Sequence, residues 1–419
     1  MTISLKSTAR GVMGAAALGL SLTAGQAVAQ EPEFDFTMAV IVSPGDVYTA
    51  LTQGIPERID EATDGRVQIT VSDSLVASNQ VAGAVRDGRV PMSAALHTYI
   101  SAEDPRMGIF NLPGLINGID DYVEVREAFW REDVKNIWKE NWNAEMLADG
   151  AWCPTALFSK EPIHEVADFE GKRIRIHNPQ SAALMSSLGA KPIPMPTSEV
   201  TPALERGVID GVFTSMCVGA AMELPRVAPH VQDWAISPIT GWVILVNADT
   251  WAELPEDVRG QISQAMAELE EEAFGTYQTY IDTAKEKFAE LGSELWVAPK
   301  ELQEEVSSEQ YSAAAFEGWY DRAEEIGVDG QAYVEQIREA LGFDIEILRR
   351  LGGLCAASVD DADREQNQRT PGDQSHRYLR EVSPASHPPQ NQAESIPSNR
   401  IRLPPRIARF SASLSDGES

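Results

Sequence analysis

Hydrophobic residues recur along this chain with two different periods, and each period predicts a different element. Val258, Ile262, Met266, Leu269, Ala273, Tyr277, Ile281, Ala284, Phe288 and Leu291 follow one another at spacings of three and four, the signature of one buried helix face. Pro255 opens that stripe and Gly292 closes it with a residue suited to a left-handed cap. The predicted helix spans 255–291, roughly 55 Å at about 1.5 Å per residue. Such a length exceeds one lobe of a small domain, so the helix either bridges two lobes or forms a coiled coil. The other period is strict alternation. In the stretch 171–178, Arg173, Arg175 and His177 alternate with Ile174 and Ile176, and alternate side chains of a strand point to opposite faces. One face is therefore aliphatic and the other carries two guanidiniums and an imidazole.

The remaining pattern alternates strand and helix. Strands are expected at 36–42, 67–71 and 92–96, with helices at 47–63 and 77–86 between them. The order restarts after Trp152 with strands at 156–158, 173–177, 193–195 and 208–213, and with helices at 181–188 and before Gly207. This β-α-β order predicts an α/β fold with mostly parallel sheets. Two units of this size predict two lobes with a cleft between them.

Composition changes the picture at both ends. Lys6 and Arg10, the apolar run 11–24 and Ala27-Val28-Ala29 read as a signal peptide over 1–29; the run is too short for a membrane span. From Arg349 onward the chain has ten Arg, nine Asp or Glu and no Lys among Pro, Ser, Gln and Asn. Without apolar periodicity, 349–419 is expected to be a disordered tail. The formal net charge is −30 over 419 residues, and setting aside +2 for 1–29 and +1 for the tail leaves −33 for the body. So acidic a body argues against nucleic acid and anionic membranes and, with the signal peptide, points to a bacterial periplasm. It also makes a cationic strand face require an explanation. Of the cysteines, Cys153 and Cys217 either pair, as an oxidising compartment allows, or stand as buried free thiols. No C-x-x-C spacing supports a metal or redox site.

Four stretches resemble the extracytoplasmic solute-binding proteins of TRAP (tripartite ATP-independent periplasmic) transporters, the DctP family. They are SKEPIHEVADFEGKRIRI (159–176), LGAKPIPMPTSEVTPALERGVIDG (188–211), NADTWAELPEDVRGQI (247–262) and FNLPGLI (110–116). The likeness covers residues 36 to about 340 and leaves the tail without a counterpart. It implies a two-lobed periplasmic-binding-protein fold with a hinge and one long helix spanning both lobes. Lobe I would take 30–152 and 241–280, and lobe II 153–240 and 281–348. It also implies a small carboxylate ligand, TRAP membrane subunits as partners and no cofactor.

Arg175 falls on the carboxylate-binding arginine position of that resemblance. A planar guanidinium in a cleft can also form two parallel bonds to a carboxylate on chemical grounds alone. Lys172 and Arg173 read as surface charges, and His177 as structural. Where the family often has D-G-Q-E-N, this chain has Asp210-Gly211-Val212-Phe213-Thr214, so Thr214 and the following Ser215 replace an asparagine. The segment 150–155 carries no second cation. Trp152, Phe213 and Trp242 are expected as apolar cleft walls, each equally readable as core. From the first lobe, Ser43 and His97 are the candidates beyond strand ends, with Thr98 beside His97 and a structural histidine the alternative reading for His97. One cation with apolar walls suits a small or partly apolar monocarboxylate; a dicarboxylate or sugar acid is the alternative, the dicarboxylate disfavoured because its second charge would stay buried and unpaired.

A periplasmic hydrolase or lyase is the competing class, and a scaffold a third. No G-x-S-x-G, P-loop, G-x-G-x-x-G or H-E-x-x-H motif occurs, and the six histidines have no metal-ligand spacing.

Overall fold

A computed structural model describes residues 31–41, 47–236 and 239–343. The segments 1–29 and 349–419, and Ser43 with its loop, lie outside the described residues. Among the described residues eleven strands occur in chain order: β1 (Phe34–Ala39), β2 (Val67–Ser72), β3 (Met92–Leu96), β4 (Ala144–Ala151), β5 (Thr155–Ser159), β6 (Arg173–Ile176), β7 (Lys191–Pro194), β8 (Gly211–Ser215), β9 (His230–Asp233), β10 (Gly241–Asn247) and β11 (Leu295–Val297). They form two sheets, β2-β1-β3-β10-β4 and β11-β9-β5-β8-β6-β7, the frames of two lobes.

Neither sheet is uniformly parallel. β1 pairs in parallel with β2 and β3, but β10 runs antiparallel to both β3 and β4. In the second sheet β6 is parallel to β7 and β8, whereas β5 is antiparallel to β8 and β9. The reversed strands are those adjoining the lobe crossings. β4 leads through 152–154 into β5, and β10 returns the chain after β9, so each enters its sheet from the other lobe's side.

The long helix is Glu256–Glu290, with Pro255 at its N-cap and Gly292 at φ +79° after its end. Its stripe of buried residues, from Val258 to Phe288, faces the protein throughout. Its first half belongs to the first lobe. Glu270 accepts from Arg131 at 2.8 Å and from the backbone N–H of Asp149 in β4 at 3.0 Å, while Arg126 grips the same Asp149 through two bonds of 2.9 and 2.8 Å. At midpoint, the Tyr277 hydroxyl donates to the Trp152 carbonyl in the crossing at 3.3 Å. Farther along, Phe288 meets Phe158 of β5 edge-on at 5.6 Å. One rigid rod thus touches both sheets and the segment between them.

A disulfide joins Cys153 to Cys217, closing 64 residues of sequence with the Cα atoms 6.0 Å apart. It ties the crossing to the residues just beyond β8. Polar contacts also link the lobes: Asn178 donates to Asn111 at 3.3 Å, and the Thr240 hydroxyl donates to the same oxygen at 3.2 Å.

Candidate functional site

β6 sits between β7 and β8, with Arg175 opposite Val212 and Ile193. Alternation separates its faces. Ile174 and Ile176 enter a core with Leu157, Leu184 and Phe213, while Arg175 shares its face with Val212 and, two residues on, Thr214. Arg173 projects on that face too, at the strand's open end.

The two arginines have opposite surroundings. Arg173 is bound by Asp210 through bonds of 2.9 and 2.5 Å, with 41% of its side chain exposed. Arg175 is only 4% exposed. Its Nε donates to the Met195 carbonyl at 3.0 Å and its Nη2 to the Thr197 hydroxyl at 3.2 Å. Among the described residues no carboxylate lies within 4.0 Å of it. Burial pulls its pKa down to about 10, so it stays cationic at neutral pH. A buried charge without a partner is expensive, and this one is held in place by two acceptors that cannot neutralise it.

The residues nearest this charge make up the candidate site. Tyr99, in the short turn His97–Ile100 after β3, brings a phenol from the first lobe. Its pKa is raised to about 12 by burial, with the Arg175 charge pulling it back. His177 is an exposed side chain just past the end of β6, its ring stacked 6.5 Å from that of Phe213. Desolvation by the chain packed around the ring comes first, then the Arg175 charge; together they lower its pKa to about 4, against a hydrogen bond to the Phe213 backbone. It is therefore neutral at physiological pH, with Asn178 3.1 Å from its Nε2. The Thr214 hydroxyl makes no hydrogen bond among the described residues and lies on the arginine's face.

Other candidate residues fall elsewhere. Phe213, one step from Val212, points into the second core, 1% exposed. Ser215 lies on Phe213's face of the strand, opposite Thr155. His97 is enclosed among aromatic rings, its Nδ1 accepting from Trp138 at 3.2 Å and its ring edge-on to Trp130. Burial drops its pKa to about 3, so it is a neutral core histidine. Thr98 follows it in the same turn. Trp242 covers Gly150 so closely that a Cβ there would meet the indole at 2.4 Å; its buried N–H has no acceptor among the described residues. Trp152 is in the crossing, its ring 4.8 Å from Tyr48. Tyr99 is the residue that sequence reasoning missed. Its signal was slight, a tyrosine two positions past His97 at a strand's carboxyl end.

Two lobes spanned by one helix, with a buried guanidinium that has no carboxylate partner among the described residues, fit a solute-binding receptor. Comparison with known proteins makes this specific. Residues 38–316 match the family model DctP, bacterial extracellular solute-binding protein family 7, and the chain belongs to that family. The C4-dicarboxylate-binding periplasmic protein DctP of Rhodobacter capsulatus is 26% identical over 314 residues, covering 71% of this chain and 92% of that one. A solute-binding protein of Roseobacter denitrificans is 28% identical over 219 residues, covering 51% of this chain and 66% of the relative. Among solved structures, DctP7 of Bordetella pertussis, a receptor binding pyroglutamic acid, superposes with a TM-score of 0.65 at 23% identity, over 73% of this chain and 98% of that one. At that identity the likeness concerns fold. Proteins of the family are extracytoplasmic solute receptors that work with TRAP membrane components and are not enzymes, and solved neighbours bind organic acids such as pyroglutamic acid and L-gulonate. No helix among the described residues is long and apolar enough to cross a membrane.

Proposed function

We propose that this chain captures a small organic acid bearing one carboxylate, which Arg175 binds, and presents it to TRAP membrane subunits. The observation that carries this reading is the buried guanidinium with no carboxylate within reach. A ligand carboxylate supplies the missing charge through the guanidinium edge that Met195 and Thr197 leave free. Thr214 donates or accepts beside it, His177 contributes a neutral wall, and Tyr99 closes over the ligand from the other lobe.

The preference for a single carboxylate rests on charge accounting in the cleft. Among the described residues the one other fully buried guanidinium, Arg126, is already engaged by Asp149. A second ligand carboxylate would enter a low-dielectric space without a partner, a penalty of several kcal/mol. The dicarboxylate reading is kept by one observation, the relative whose name states that it binds C4-dicarboxylates. A thermal-shift screen decides between them. The proposal expects pyroglutamate and similar monocarboxylates to raise the melting temperature more than succinate or malate. A larger shift with the dicarboxylates overturns the preference, and no shift with any acid overturns the assignment of Arg175.

A further inference from the structure

Away from the cleft, a cavity of about 540 Å³, open to solvent, lies beside the second half of the long helix. Its volume is within the range of small-molecule sites. None of the residues lining it belongs to the group around Arg175. Pro154, Met216, Ile281 and Leu295 form apolar walls, with Asp233 and Lys285 among the polar lining. We propose that this cavity is a second ligand site, for a small organic cation with an apolar body, whose ammonium pairs with Asp233.

Asp233 is the last residue of β9. One of its carboxylate oxygens accepts from the Ala235 N–H at 2.9 Å. The carboxylate makes no other side-chain hydrogen bond, and no cation lies within 4.0 Å of it, among the described residues. Burial raises its pKa, and Lys285 counters this only from a distance, its own ion pair being with Asp282 at 3.7 Å. The situation is the mirror image of Arg175: a partly buried charge, positioned by a backbone contact, lacking its counter-ion. Ser293, also lining the cavity and 5% exposed, has a hydroxyl with no partner, a further acceptor for an ammonium. The wall is pre-formed, because the Cys153–Cys217 disulfide fixes the segments carrying Pro154 and Met216 to each other, and pre-organisation lowers the ordering cost of binding.

Calorimetric titration of the full chain with benzylammonium tests the proposal, with benzyl alcohol as the uncharged control. Wild type should bind the ammonium saturably and in preference to the alcohol. Asp233→Asn, which keeps the turn with Ala235, should weaken it by about tenfold or more, the loss of one charge-assisted bond. Ala289→Trp should crowd the cavity and weaken it without touching Asp233, and Arg175→Ala should leave it unchanged. Absence of saturable binding, equal affinity for ammonium and alcohol, or wild-type affinity in Asp233→Asn overturns it.

Discussion

Arg173 and Arg175 stand two residues apart on one face of one strand, yet only one of them has a carboxylate. Arg173, at the strand's exposed end, is neutralised by Asp210; Arg175, one pleat deeper, is buried against a carbonyl and a hydroxyl. The same side chain is a surface ion pair in one position and, in the proposed function, an anion trap in the other. Burial with neutral acceptors fixes the direction of a guanidinium while leaving its charge unspent, whereas a salt bridge fixes both. A binding site needs the first arrangement.

The sharpest way to break the comparison is to delete each arginine in turn. Arg175→Ala should cost on the order of 2 to 5 kcal/mol of binding, roughly a 30- to 5000-fold loss in calorimetry with whichever acid shifts the melting temperature most. Equal losses from Arg173→Ala and Arg175→Ala would erase the distinction. The converse experiment gives Arg175 what Arg173 has. Thr214→Asp places a carboxylate on its face; the unliganded protein should melt higher and the acid should bind at least about tenfold more weakly, about 1.4 kcal/mol. Removing a positioning contact should matter less. Thr197→Val deletes one neutral acceptor at 3.2 Å, expected to cost about 0.5 to 1.5 kcal/mol of affinity, read from the same titrations.

How much of this was legible beforehand depends on the range of the interaction involved. Alternation in 171–178 set Arg173 and Arg175 on one face, and the three-and-four spacing set the long helix and both of its ends. Those patterns are local. The strand 92–96 was expected and occurs as Met92–Leu96 for the same reason. The antiparallel setting of β5 and β10 was not readable, because each pairs with strands far along the chain. The strand expected at 208–213 lies at Gly211–Ser215, and side-chain direction in β8 follows from register, which sets Phe213 against Leu157 and away from Arg175. His97 reads as a donor in sequence, and only the rings of Trp130 and Trp138 around it make it a core residue. No sequence pattern says which arginine meets an aspartate 37 residues away.

A smaller effect concerns pH. The pKa of His177 is depressed from its ordinary value to about 4 and that of Arg175 to about 10. Between pH 5 and 8 neither group changes charge in the folded protein, so affinity for a fully ionised acid should be flat across that window. A rise in affinity as pH falls through about 6.5 would mean that His177 binds as a cation. The stability sign is separate. A histidine whose folded pKa is lowered binds fewer protons than in the unfolded chain, so its contribution is present above about 6.5 and is lost as pH falls toward 4. Thermal melts across that range should show it. Smallest of all, Arg173→Ala should leave affinity and its pH profile unchanged within error.

The central claim is that the Arg175 charge is spent on the ligand's carboxylate, and a thermodynamic cycle tests it most directly. Calorimetry would measure the best-binding acid and its primary amide against wild type and Arg175→Ala. Coupling between the arginine and the carboxylate should be on the order of 2 kcal/mol or more, with the variant nearly unable to tell acid from amide. If wild type and variant discriminate acid from amide equally, the coupling is zero and Arg175 does not hold the carboxylate.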